Sequence, residues 1–284
     1  MLKLDGKKVA EQVQLRVGAG AKEFQKKYGR SPKLAVVLVG SDPASVIYTT
    51  KKGDAAVAAG LSHESIHFPA TATPEEVCNA IQKLNNDDLV DGILIQRPLP
   101  KAFNENEVVY WISPEKDVDA FHPENTGRLQ LGLSCLKPCT PTGVIEILSY
   151  YNIDVAGKIA CVIGRSSIVG KPMAALLLQK NATVIQCHSH THDLAHFTKQ
   201  ADILVIAAGK PQMIKSQHIK PGAVVIDVGI HRTISGKVVG DADYNSIAAV
   251  ASAATPVPGG VGPMTIALLL KNTLDAAHAR MSCK

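Results

Sequence analysis

Aromatic residues make up only 4% of this sequence, and its lysines and arginines are spread along the chain instead of gathered in blocks. Nucleic-acid surfaces combine basic stripes with stacking aromatics, so both shortages exclude that class of partner. Nowhere do roughly eighteen apolar residues run together, which excludes a membrane-spanning helix. The start, MLKLDGKKVAEQVQ, has no apolar signal region, so a cytoplasmic location is expected. Cys78, Cys135, Cys139, Cys161, Cys187 and Cys283 show no CxxC spacing. They read as reduced thiols, without a disulfide framework or a zinc site. What is present is a mild net charge of +5 and 46% hydrophobic residues over 284 positions. That suffices for a sizeable core in two domains and suits anionic small molecules as partners.

Short apolar runs alternate with helix-period segments almost throughout, the pattern of an α/β protein with parallel sheets. In the first part strands are predicted at Leu34–Gly40, Ser65–Ala70 and Gly92–Gln96, with helices over Ala44–Ala59 and Val77–Leu84. The second helix follows the start signal Thr73-Pro74-Glu75-Glu76. Pro138-Cys139-Thr140-Pro141 marks a boundary, because two prolines so close continue neither element, and Thr142 is placed to cap the helix GVIEILSYY. Beyond it, strands are predicted at Ile159–Gly164, Thr183–Cys187, Asp202–Gly209 and Ala223–Gly229. A last helix, from Pro263 to about Arg280, is expected to return to the first domain.

Six segments carry chemistry. Thr255–Thr265, TPVPGGVGPMT, holds three prolines and three glycines without a charge. Such a loop is rigid and open-faced, and suits a flat ligand. Gly164-Arg165-Ser166-Ser167-Ile168-Val169-Gly170 lies between a buried strand and a helix, where a diphosphate can meet the helix N-terminus. Its glycines are six apart, so it departs from the usual GxGxxG. The next strand ends in Cys187-His188-Ser189, where an NAD enzyme would place a carboxylate against the ribose. Arg165 and Ser189 can instead hold a 2′-phosphate, favouring NADP. His188, His190, His192 and His196 are not read as a metal site, since no carboxylate or thiolate pattern completes the set. In the first domain Tyr48 and Lys52 share a helix face at four-residue spacing, with Lys51 nearly as well placed. Gln96, at a strand's carboxyl end, and the acids of Lys116-Asp117-Val118-Asp119 fall where α/β proteins line their ligand crevice.

Taken in order, YxxxK, GILIQRPLP, KDVDAFHP, PCTPTG, VIGRSSIVGKP and TPVPGGVGPMT resemble the motif series of bifunctional methylenetetrahydrofolate dehydrogenase/cyclohydrolases over nearly the whole chain. The resemblance implies a folate-binding catalytic domain at 1–138, with 264–284 packing back on it, and a Rossmann-like NADP domain at 139–263. It selects Lys52 over Lys51, and implies that Tyr48 stacks on the folate, Gln96 orients Lys52 and Asp119 holds the pterin edge. Pro258, Gly259, Gly260 and Val261 would give close backbone approach to the substrate. Gly164, Arg165, Ser166, Gly170, Ser189 and Ile230 would bind NADP. The implied substrates are tetrahydrofolate derivatives of one-carbon metabolism, the implied state a homodimer without nucleic-acid or membrane partners. A dehydrogenase lacking the hydrolytic step and a non-catalytic NADP-binding protein are the alternatives. Two positions depart from the family pattern: Arg97 stands where leucine is frequent and Ala120 where glycine is usual. Neither is expected to touch a catalytic group.

Overall fold

The computed structural model describes residues 1–233 and 235–282, so Cys283 lies outside the described residues. Two compact units emerge, one made of Met1–Glu11 with Thr140–Thr265, the other of Gln12–Cys139 with the chain from Ile266 on. After a short strand, β1 (Leu2–Lys3), comes the long helix α1 (Gly6–Tyr28). It is a helix the sequence reading passes over, although Val13, Val17, Ala21 and Phe24 form a buried stripe at helical spacing.

In the second of these units β2 (Lys33–Val39) lies between β3 (Ser62–Phe68) and β4 (Gly92–Ile95), all parallel. A central parallel strand is covered on both faces, which is why KLAVVLV reads as a continuous apolar run. The crossover helix α2 (Pro43–Ala58) starts at Asp42, whose carboxylate accepts the Ser45 N–H at 2.8 Å. α3 (Pro74–Asn86) starts with a reciprocal capping box between Thr73 and Glu76. The C-terminal end of α3 is closed from outside the helix. Lys116 is buried, and its Nζ donates to the carbonyls of Leu84, Asn85 and Asp87 at 2.9, 2.7 and 2.7 Å. The Leu84 and Asp87 carbonyls also take the N–H groups of Asp87 and Val90 at 3.3 and 3.1 Å, so the ammonium adds a second donor to each while it closes the helix end. Burial lowers this lysine to about 8, which leaves it cationic at neutral pH. Short helices α4 (Glu105–Val108) and α5 (Pro123–Gln130) follow β4.

The other unit begins with α6 (Cys139–Tyr150), three residues earlier than the cap expected at Thr142. Pro141 sits in the first turn, where its missing N–H costs no helical hydrogen bond, so the prolines start this helix instead of preceding it. The sheet contains β5 (Ile159–Ile163), β6 (Thr183–Cys187), β7 (Ile203–Ile206), β8 (Val224–Asp227) and β11 (Ala253–Ala254), in the order β1-β11-β8-β7-β5-β6, every pairing parallel. β1 therefore joins this sheet, which sets Met1–Glu11 apart from the 1–138 division expected above. Helices α7 (Gly170–Gln179) and α8 (Leu194–Thr198) cross between the first strands. A small hairpin, β9 (His231–Arg232) with β10 (Val238–Val239), and the helix α9 (Tyr244–Ile247) complete it. Strand order reverses at β5, which places a ligand crevice at its carboxyl end.

The C-terminal helix α10 (Gly262–Ser282) belongs, from Ile266, to the unit of Lys52 and Lys116. There Asn272 donates to the carbonyls of Val118 and Lys137, both at 2.8 Å, and Arg280 shares the buried Asp91 with Arg30. Among the described residues no helix is long and apolar enough to cross a membrane. Substituting Lys116→Met removes an ammonium that three enclosed carbonyls share, and is expected to lower stability by about 2–4 kcal/mol. A urea midpoint equal to that of the wild type would show that this cap contributes nothing.

Candidate active site

α2 buries Ser45, Thr49, Lys52, Gly53 and Ala56, a stripe with three- and four-residue steps. That stripe separates the two candidate lysines: Lys52 is 8% exposed and Lys51 is exposed. Tyr48, one turn before Lys52, keeps 46% of its surface in solvent, as a stacking plate requires. Lys52 Nζ donates to Gln96 Oε1 at 2.8 Å. Gln96 follows directly on β4, its backbone N–H still bonded to Val37, and its Nε2 donates to the Arg97 carbonyl at 2.6 Å. Both ends of the amide are thus engaged, so its oxygen is held towards the lysine. The carbonyl that receives this bond belongs to the main chain, so any residue at position 97 would supply it.

Asp119 is half-buried beside this pair. Burial raises its carboxyl, and the charges of Lys52 and Arg97 oppose that rise. A cavity lined by Ile95, Arg97, Ile112, Asp117, Asp119 and Phe121 opens here. The Arg97 guanidinium lies over the Phe121 ring at 5.3 Å and pairs with Glu105 at 2.8 Å, so its charge is already committed. Asp119 is presented by a turn anchored on buried Asp117, which accepts the N–H groups of Ala120 and His122 at 3.1 and 2.7 Å. Ala120 adopts φ +59°, a left-handed conformation that costs an alanine about 1–2 kcal/mol and a glycine almost nothing.

In the other unit the turn after β5 is built by two glycines. Gly164 has φ +126°, and a Cβ on Gly170 would come within 2.3 Å of the Gly164 carbonyl. Ser166 Oγ accepts the N–H groups of Val169 and Gly170 at 3.2 and 3.3 Å, capping the start of α7 from within the turn. Arg165 and Ser189 are exposed at the carboxyl ends of β5 and β6. Desolvation and the nearby charges of Arg165 and His190 push the His188 imidazole below its ordinary range, so this corner is cationic. His188 Nδ1 accepts the His190 N–H at 3.2 Å, which commits that nitrogen to the turn. Among the described residues no group of three or more His, Cys, Asp or Glu is arranged for a metal ion.

The Pro-Gly loop runs into α10. Pro258, after a cis bond from Val257, is exposed, Gly259 has φ +103°, and the Val261 side chain is buried, so Val261 has only its backbone to offer a ligand. Ile230 is 56% exposed just before β9. Sequence reasoning missed the buried pair Asp227 and Asp241 behind Ile230, because all their side-chain partners but Gly229 lie ten or more residues away.

Comparison with known proteins gives a consistent assignment. Models of the tetrahydrofolate dehydrogenase/cyclohydrolase catalytic domain and of its NAD(P)-binding domain match residues 4–119 and 138–281. The bifunctional protein FolD of Acetivibrio thermocellus is 51% identical over 277 residues, covering 98% of this chain and 95% of its own. The structure of the bifunctional FolD dehydrogenase/cyclohydrolase from Campylobacter jejuni superposes with a TM-score of 0.96 at 45% identity, covering 99% of both chains. That of the Trypanosoma brucei enzyme, complexed with NADP cofactor and inhibitor, gives 0.93 at 35% identity, covering 99% of this chain and 98% of its own.

Asp117 lends the site a pH signature. Burial, reinforced by the charge of Asp119, pushes its carboxyl from an ordinary 3.8 up to about 7 against the N–H groups that lower it. Between these values the folded protein keeps a proton that the unfolded chain has lost. The stabilisation is complete below pH 3.8 and vanishes as pH rises through about 7. Wild-type stability is therefore expected to fall between pH 5 and 7, by up to about 1.4 kcal/mol per pH unit from this group. Asp117→Asn should flatten the slope in urea titrations at several pH values, and an unchanged slope would remove Asp117 as its source.

Proposed function

Because the chain belongs to the tetrahydrofolate dehydrogenase/cyclohydrolase family, we propose that Lys52 and Gln96 carry out the hydrolytic half of a two-step reaction on a folate-bound carbon. The protein oxidises 5,10-methylenetetrahydrofolate to the 5,10-methenyl form with NADP, and hydrolyses that product to 10-formyltetrahydrofolate. NADP, when bound, accepts the hydride that leaves the bridging carbon. The lone pairs of the two flanking nitrogens stabilise the cation left behind, so the protein need supply no strong base for this step. Its contribution is alignment, for which Tyr48 offers its exposed ring as a stacking surface and Asp119 a carboxylate for the polar edge of the pterin.

Hydrolysis makes a different demand. Water adds to the methenyl carbon and gives up one proton, leaving a hydroxyl on that carbon; the bond to one nitrogen then breaks as that nitrogen takes a proton, the hydroxyl releases its own proton to solvent, and the carbon remains as a formyl group. Lys52 serves as the proton carrier, taking the proton from the adding water and returning it to the departing nitrogen. Gln96 keeps the amine aimed. The observation that carries this reading is the 2.8 Å bond from a buried lysine to a glutamine whose amide has no free end.

On the cofactor side, Gly164, Ser166 and Gly170 form the diphosphate turn, Arg165 and Ser189 receive the 2′-phosphate, and Ile230 borders the nicotinamide. Gly259, Gly260 and the Val261 backbone approach the substrate, with Pro258 stiffening the loop. This reading assigns folate to the domain at 1–138, less Met1–Glu11, with its returning helix, and NADP to 139–263 with the first strand. It also takes the protein as a cytoplasmic homodimer without nucleic-acid or membrane partners, on the strength of the family resemblance and the dispersed charge.

Lys52→Met keeps the apolar stem and removes the amine. Hydrolysis of the methenyl substrate should fall by about a hundredfold to ten-thousandfold, oxidation should fall much less, and the methenyl compound should accumulate. Adding a Gln96 substitution to Lys52→Met should cost little further. Hydrolysis at the wild-type rate by Lys52→Met would refute the assignment.

A further inference from the structure

The carboxyl ends of β7 and β8 hide a polar connection that the reaction as described does not use. Asp241 has a fully buried side chain, yet its carboxylate meets four donors. Oδ2 accepts the N–H groups of Ala208 and Gly209 at 2.7 and 3.0 Å, and Oδ1 accepts that of Lys210 at 3.0 Å and His231 Nε2 at 2.6 Å. The first three belong to the loop leaving β7, the fourth to the strand entered after β8. Asp227, the last residue of β8, fixes the backbone behind them, accepting from the N–H groups of Gly229 and Asp241 on one oxygen and Ala242 on the other. The fit is close: a Cβ on Gly229 would fall 2.4 Å from the Asp241 carboxyl carbon.

A local turn needs one or two donors on a carboxylate near the surface. Here a charge is buried, at a desolvation cost of several kcal/mol, to tie two loops separated in sequence. Their place in the sheet gives the reason. β5 carries the diphosphate turn and stands between β6 and β7. With the 2′-phosphate held at the ends of β5 and β6, the rest of the dinucleotide must extend the other way, over β7 and then β8. Ala207–Lys210 and Gly229–His231, with exposed Ile230 between its fixed neighbours, border that end.

We propose that Asp241, acting with His231, is a positioning residue for the nicotinamide half of NADP: it locks together the two loops on which that half rests. The inference builds on the NADP reading above. Asp241→Asn replaces one acceptor oxygen by an amide nitrogen, so two of the four donors lose their partner whichever way the amide turns. The KM for NADP should rise about tenfold or more, in line with the loss of charged hydrogen bonds in a buried site. Methenyl hydrolysis, assayed without NADP, should stay within about twofold. His231→Leu should raise the KM for NADP by a smaller factor, and His231→Gln, which keeps an N–H donor, should restore it. Oxidation and hydrolysis falling together in Asp241→Asn, or an unchanged KM for NADP, would overturn the proposal. If Asp241→Asn fails to fold, His231→Leu decides, and a wild-type KM for NADP in it refutes the coupling. Wild-type protein that reduces no NADP would instead sink the underlying cofactor reading.

Discussion

Parallel strands leave their sheet through loops, and the backbone groups of loops drawn into a fold must find partners there. Four buried ionisable side chains meet that constraint. Lys116 closes the end of α3 through three carbonyls, Asp117 gathers the turn that carries Asp119, and Asp227 and Asp241 hold the loops beyond β7 and β8. Each burial is unfavourable by itself and is offset because each of these side chains holds at least two backbone groups by hydrogen bonds. Two of the segments so fixed carry candidate site residues, Asp119 in the turn on Asp117 and Ile230 in the loop beyond β8.

Chemical division of labour follows from where polarity is placed. In the unit of α2 and β4, a lysine and an amide meet with the carboxyl of Asp119 nearby, a set of groups that can move protons. In the unit of the larger sheet the functional features are glycine turns, exposed backbone and a cationic corner at Arg165, which can hold an extended anion but offer no proton carrier aimed at a reacting carbon. Hydride loss from a carbon between two nitrogens needs alignment, whereas hydrolysis of the resulting cation needs proton transfer. Two reactions on one carbon thus draw on two kinds of side chain.

Much of this was legible in the sequence where periodicity is strong. The strand Thr183–Cys187 has the limits read from its residues and the ends of β2 and β4 differ by one residue, while β7 and β8 stop three and two residues before the predicted Gly209 and Gly229. β3 starts three residues before the predicted Ser65, because Ser62, His63 and Glu64 are polar on an edge strand whose pattern fades. α1 was lost beneath its lysines, though its apolar stripe is regular. Spacing could not separate Lys51 from Lys52; only the family pattern did, and burial of one of them gives the physical reason. The roles of Lys116, Asp241 and His231 were beyond reach, since their partners lie from 10 to 33 residues away and no spacing rule links them.

The central claim, that one chain couples NADP-specific oxidation to hydrolysis, is tested most directly with the wild-type protein. It would be given 5,10-methylenetetrahydrofolate with either NADP or NAD, while reduced cofactor and 10-formyl product are followed together. The expected result is rapid reduction of NADP, much weaker reduction of NAD, and formyl product appearing alongside the reduced cofactor. Equal use of the two cofactors, or reduced cofactor with no formyl product beyond the uncatalysed rate, would contradict it.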